Sequence, residues 1–106
     1  MRGDSEHLSD IAAAIKAIRA HLATADVSTD LRRDAILYNL LVIGEAVKAL
    51  GEQTRARQPE VPWRQIAGLR DLIAHEYFRI DMDEIQSIVD QELKALSSAI
   101  AALRRR

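Results

Sequence analysis

The sequence contains no cysteine, which removes disulfides, thiolate zinc sites and cysteine nucleophiles together and suits a reducing compartment. Glycine and proline are sparse, at 4 and 2 of the 106 residues. No stretch alternates apolar and polar residues with period two over a useful length, so strands are not expected. No internal repeat is evident. The opening segment, Met1-Arg2-Gly3-Asp4-Ser5-Glu6-His7, is polar and lacks the apolar core of a signal sequence. No uncharged run approaches the roughly 20 residues needed to span a bilayer, so a cytoplasmic protein with no membrane role is expected. Histidine and the acidic residues form no triplet at ligand spacing, so neither a metal nor another cofactor is indicated. A formal net charge of -1 excludes a global basic field for nucleic acid, leaving any RNA contact to local charge.

What is present fits one domain covering residues 1–106. A 48% hydrophobic and 29% charged composition is that of a soluble globule with a modest core. Between residues 54 and 79 lie Arg55, Arg57, Arg64, Arg70 and Arg79 against only Glu60, Asp71 and Glu76, a locally positive stretch.

Helical periodicity dominates. Leu8, Ile11, Ile15, Ile18 and Leu22 recur at three- and four-residue spacing, the stripe of an amphipathic helix starting near Ser5 or Glu6. Segment 24–29 breaks the pattern with turn formers, and Ser28 through Asp30 offer N-caps for a second helix. That helix is expected from about 30 to 55 or 57, and between 35 and 50 it is apolar on almost every side, as a central helix would be. Gly44 within it costs about 1 kcal/mol of helix propensity relative to alanine, which implies the close approach of another backbone. Asn39 and Glu45 either satisfy local groups or solvent, or lie beside a functional cleft. Pro62 suits the first turn of a third helix, with Trp63 as a core or interface anchor, Ile66, Leu69, Leu72 and Ile73 facing inward, and an end close to His75. A fourth helix begins at Asp81, where the run Asp81-Met82-Asp83-Glu84 resembles a capping box. Its stripe is Met82, Ile85, Val89, Leu93, Leu96, Ile100 and Leu103. The fold class that follows is all-α, an up-and-down bundle of four to five helices. The terminal Arg104-Arg105-Arg106 reads as a solvated tail at a helix C-terminus, and His7 and His21 as surface residues.

One stretch stands apart from this scaffold. In Arg70-Asp71-Leu72-Ile73-Ala74-His75-Glu76-Tyr77 a planar phosphate-binding fork, a proton carrier active near neutral pH and a hydroxyl fall within eight residues. The spacing R-x4-H-x-Y, with a polar residue directly after the arginine, resembles the signature of the HEPN superfamily and of its HepT-like ribonuclease toxins. The run Asn39-Leu40-Leu41-Val42-Ile43-Gly44-Glu45-Ala46, the lead-in from Pro62-Trp63-Arg64 to Leu69, and Tyr77-Phe78-Arg79-Ile80-Asp81 resemble the same family. Nearly the whole chain is covered.

The resemblance implies a metal-independent endoribonuclease acting on tRNA or mRNA, in which a ribose 2′-hydroxyl attacks the adjacent phosphate. His75 would be the general base or acid and Arg70 would hold the scissile phosphate. Tyr77 would position the phosphate or the histidine, and Asp71 would orient Arg70 or His75, or simply pair with a nearby arginine at the surface. On a straight helix, residues five apart differ by about 140° and residues two apart by about 200°, so the three motif side chains cannot share one face. Either the helix ends or another chain contributes, and the family's homodimers supply the second answer. A nearly all-round apolar helix in so short a chain fits that expectation. The resemblance also implies a partner, a nucleotidyltransferase antitoxin of the MntA type in a type VII-like toxin-antitoxin pair, which attaches AMP to Tyr77. The alternative is a noncatalytic helical module that binds such a nucleotidyltransferase or a nucleotide.

Overall fold

The computed structural model describes residues 3–24 and 28–105. All regular structure among them is helical: α1 (Asp4–Ala23), α2 (Thr29–Ala49), α3 (Glu52–Ala56), α4 (Trp63–Ala67), α5 (Leu69–Glu76), α6 (Met82–Ile88) and α7 (Lys94–Arg104), with a π-helical turn over Val89–Leu93 joining the last two. Because α4 runs into α5 at Gly68 and α6 passes through the π turn into α7, the chain makes five rods. This is the all-helical bundle that the periodicity implies. No helix among the described residues is long and apolar enough to cross a membrane.

The first stripe is buried as expected at Leu8, Ile11, Ile15 and Ile18, against Ile36, Leu37, Leu40, Ile43 and Val47 of α2. Helix α2 is the hub, touching α1, α4, α5 and α6. Ser28 caps it by accepting the N–H of Leu31 at 3.2 Å, and the expected turn residues 25–27 lie outside the described part. Asp81 likewise caps α6 through the N–H of Glu84 at 2.9 Å. The stripe from Ile85 to Leu103 is buried, with Met82 only half-buried. Trp63 is a core anchor, its indole N–H shared between the carbonyls of Arg55 (3.0 Å) and Gln58 (2.9 Å). Each of these bonds spares a buried donor the cost of being left unpaired.

Three expectations need correction. The second helix does not reach residue 55: Leu50 turns extended (φ -64°, ψ 141°) and α3 starts anew after Gly51. The cause is long-range, since the Asp4 carboxylate accepts the Gly51 N–H at 3.2 Å and the Thr54 hydroxyl. Gly51 is the local cue to this end, and the Asp4 contacts are the part that local spacing does not show. Leu72 does not face inward but is 46% exposed; with Leu69 and Ile73 buried, its direction lies about 80° off their stripe. His7 and His21 are partly buried rather than fully on the surface.

Candidate functional site

Gly44 fulfils the close approach its position implies. A Cβ built there would lie 2.7 Å from the backbone nitrogen of Arg70, so α5 crosses α2 with Arg70 at the crossing point. The Arg70 guanidinium sits between two carboxylates, with Nε 3.0 Å from Oε2 of Glu45 and Nη1 3.2 Å from Oδ1 of Asp71. With the arginine side chain 46% exposed, these pairs fix the direction of the fork while each contributing below about 1 kcal/mol to stability. Neither pair engages Nη2.

His75 lies exposed in the last turn of α5, its Nδ1 2.9 Å from the carbonyl oxygen of Asp71. A carbonyl only accepts, so this bond puts the proton on Nδ1 and leaves Nε2 of the neutral ring with a free lone pair. Asp71 therefore serves both candidates at once, through its carboxylate to Arg70 and its carbonyl to His75. Arg70, Asp71 and His75 form one linked group.

Tyr77 does not join it within one chain. As the C-terminal cap of α5 its half-buried ring lies against α2 one end further along, with the Arg33 guanidinium carbon 5.2 Å from the ring centroid. Burial first, then hydrogen bonding to Asp34 and the Asp34 charge, push its phenol above its ordinary pKa of 10.0, against the opposing charge of Arg33. Arg33 also locks the chain that follows α5, donating Nε to the Ile80 carbonyl at 2.8 Å and Nη2 to the Tyr77 carbonyl. It is itself paired with Asp34 at 2.9 Å. Asp34 and Glu45 are eleven residues apart on α2, or about 16 Å along its axis. Hence the tyrosine hydroxyl and the Arg70 fork are anchored at well-separated points.

Phe78 next to Tyr77 is 95% exposed, and Leu31 and Tyr38 on α2 are more than half exposed. Phe78 is thus no core aromatic. A groove of about 400 Å³ runs between α1 and α2, walled by His7, Asp10, Tyr38, Val42 and Glu45. Asn39 plays the bland part of its two readings, donating to the Ala35 carbonyl at 2.8 Å; Glu45 pairs with Arg70. Arg33 and Asp34 went unnoticed in the sequence, where two charges in the second turn of a helix carry no signal. Among the described residues no group of three histidine or acidic side chains is placed to hold a metal.

Comparison with known proteins bears on the whole of this chain. The family model described as "Ribonuclease HepT-like" matches residues 8–103. A Thermococcus cleftensis protein named "Probable ribonuclease HepT" is 31% identical over 108 residues, covering 98% of each chain. Two proteins each named "Putative RNase" are similar over shorter spans. The one from Caldanaerobacter subterraneus subsp. tengcongensis is 38% identical across 62% of this chain and 59% of its own. The one from Methanocaldococcus jannaschii is 30% identical across 70% of this chain and 68% of its own. No solved structure matches significantly. With the R-x4-H-x-Y motif seated on the bundle as described, the chain belongs to the HepT-like ribonuclease family.

Proposed function

We propose that this single-domain chain is the toxin of a toxin-antitoxin pair, a cytoplasmic ribonuclease that cuts tRNA or mRNA without a metal and works as a homodimer. The observation that carries the reading is the linked group at the start and end of α5, an arginine fork fixed by Glu45 and Asp71 beside a histidine whose Nε2 is left open. In this scheme Nε2 of His75 takes the proton from a ribose 2′-hydroxyl. The freed oxygen attacks the adjacent phosphorus, and the bond to the 5′ oxygen breaks. The departing oxygen takes a proton from the second copy of His75, already protonated, across the dimer cleft. The products are a 2′,3′-cyclic phosphate and a 5′-hydroxyl. Arg70 meets the negative charge growing on the phosphoryl oxygens, where a charge-assisted donor acts more strongly than a neutral one.

The second copy is supported by apolar surface that one chain leaves open: Phe78 at 95% exposure, Tyr38 at 64%, Leu31 at 63% and Leu72 at 46%. Large side chains exposed in this number around a catalytic group suit an interface. A nucleotidyltransferase antitoxin of the MntA type would silence the toxin by transferring AMP to the Tyr77 oxygen, with pyrophosphate leaving. The added phosphate and nucleoside would compete with RNA for positive charge and fill the dimer cleft.

Cleavage of a tRNA and mRNA panel in EDTA, by wild type and His75→Ala at matched fold and oligomeric state, tests the reading. Metal-independent cutting that vanishes in the variant is expected. If wild type cuts nothing, a noncatalytic module for a nucleotidyltransferase or nucleotide takes its place.

A further inference from the structure

Three arginines of this chain are paired with carboxylates. Arg33 faces Asp34, Arg70 faces Glu45 and Asp71, and Arg79 faces Glu76 at 3.9 Å. None of the ion pairs formed between described residues involves Arg57, Arg104 or Arg105. All three line one cleft of about 580 Å³ between the start of α1, α3 and the end of α7, Arg104 also bordering a second groove beside Arg19. Ser5, Ser9 and Thr54 add hydroxyls, and the buried Leu8 and Leu103 add an apolar wall. The one carboxylate lining it, Asp4, is already engaged: one oxygen accepts the Gly51 N–H and the other the Thr54 hydroxyl. Three guanidinium groups against one occupied carboxylate leave the cleft positive in a chain whose formal net charge is -1.

We propose that this cleft is a second phosphate-binding subsite, one that holds the backbone of single-stranded RNA away from the bond being cut. Guanidinium forks meet phosphate oxygens bidentately, hydroxyls donate to the same oxygens, and the leucine wall suits the face of a base. The inference rests on the ribonuclease reading for the identity of its ligand and on the geometry of the cleft for its place. At about 100° per residue, Asp4, Ser5, Leu8 and Ser9 point to the opposite side of α1 from His7 and Asp10. The latter two share the groove with Glu45, the residue that holds Arg70. RNA reaching both sites therefore passes around the first turns of α1. Half the circumference of a helix about 10–12 Å across, about 16–19 Å, corresponds to about five nucleotides at about 3.4 Å each. The tail arginines, which the sequence alone places in solvent, thereby gain a task; Arg106 lies outside the described residues.

The test uses the full chain with His75→Ala to keep RNA intact, a fluorescein-labelled 12-nucleotide single strand, and anisotropy titrations in EDTA at 50 to 200 mM KCl. Adding Arg57→Ala and Arg104→Ala, both exposed positions, should weaken binding at least tenfold at 50 mM. It should also flatten the dependence of log affinity on log salt by about 1.4, two contacts at about 0.7 each. Arg19→Ala, outside the cleft, should leave the 12-mer unaffected. On an otherwise wild-type chain the double substitution should raise KM for the 12-mer and spare kcat. Unchanged affinity and salt slope would overturn the subsite while leaving the ribonuclease reading intact. Loss of RNA binding in the cleft variant of a protein that cuts nothing would do the reverse, keeping the subsite and ending the ribonuclease reading. Failure of the His75→Ala protein to bind the 12-mer at all would overturn the subsite whatever the cleavage assay gives.

Discussion

Gly44 and Arg70 are in backbone contact: a Cβ on Gly44 would stand 2.7 Å from the Arg70 nitrogen and 3.1 Å from its Cβ. Two opposing effects decide what an added methyl does. Alanine gains about 1 kcal/mol of helix propensity over glycine, but the atom it strikes is backbone and cannot rotate away. Overpacking of this kind costs about 1–3 kcal/mol, so Gly44→Ala is expected to lower the Tm by several degrees and to reduce RNA cleavage by moving Arg70. Gly44→Leu should be worse. A raised Tm with full activity for the alanine variant would show that α5 slides freely over α2.

Glu45 offers a cleaner separation of activity from stability. Its pair with Arg70 is surface-exposed at 59% and 46% for the two side chains, so its removal should cost under about 1 kcal/mol. The same pair sets where the fork points. Glu45→Gln should therefore leave the Tm within about 5 °C of wild type while kcat falls about tenfold, equivalent to about 1.4 kcal/mol of barrier. If kcat holds and only KM moves, Glu45 competes with phosphate for Arg70 and does not position it.

The fold was legible because its core obeys simple periods: the buried stripes of α1, α2, α6 and α7 are those that three- and four-residue spacing picks out. The crossing at Gly44 was legible for a related reason, since a glycine inside an apolar helix needs a physical cause. Long-range pairing was not legible. The break at Leu50 has a local cue in Gly51, a common helix-stop residue, but its anchor on Asp4, 46 positions earlier, does not show in the sequence. The place of Tyr77 is a similar case: the motif groups it with Arg70 and His75, whereas one chain seats its ring beside Arg33, about 18 Å along α2 from Glu45. Spacing in sequence groups the three residues, and folding of a single copy does not bring all of them together.

Tyr77 should titrate as a guarded phenol. Burial, followed by the Asp34 hydrogen bond and charge, raises its pKa above 10.0. The folded state therefore binds this proton more tightly than the unfolded chain. The stabilisation is fully present below pH 10 and is lost as pH rises through the folded pKa. Phenolate absorbance near 295 nm reads the ionisation, and Tyr38→Phe isolates Tyr77, the other of the two tyrosines. Asp34→Asn should bring the midpoint back toward 10.0. An unchanged midpoint would leave burial as the sole cause.

Asp4 carries the opposite sign. The Thr54 hydroxyl, then the Gly51 N–H, hold its carboxyl below the usual 3.8, outweighing a small opposing effect of burial. This stabilisation is present above the unfolded pKa near 3.8 and disappears as pH falls through the lower folded value. Asp4 joins the start of α1 to the N-terminus of α3 and so closes one wall of the basic cleft. Asp4→Asn should reduce the Tm by a few degrees at pH 7, because the amide replaces a charge-assisted acceptor with a weaker one. The gap between variant and wild type should then shrink as pH is lowered below 4, where the native carboxylate also loses its charge. Thermal melts across pH 3 to 7 follow this convergence. A gap that stays constant across that range would mean that the Asp4 contacts act through geometry alone, with no contribution from its charge.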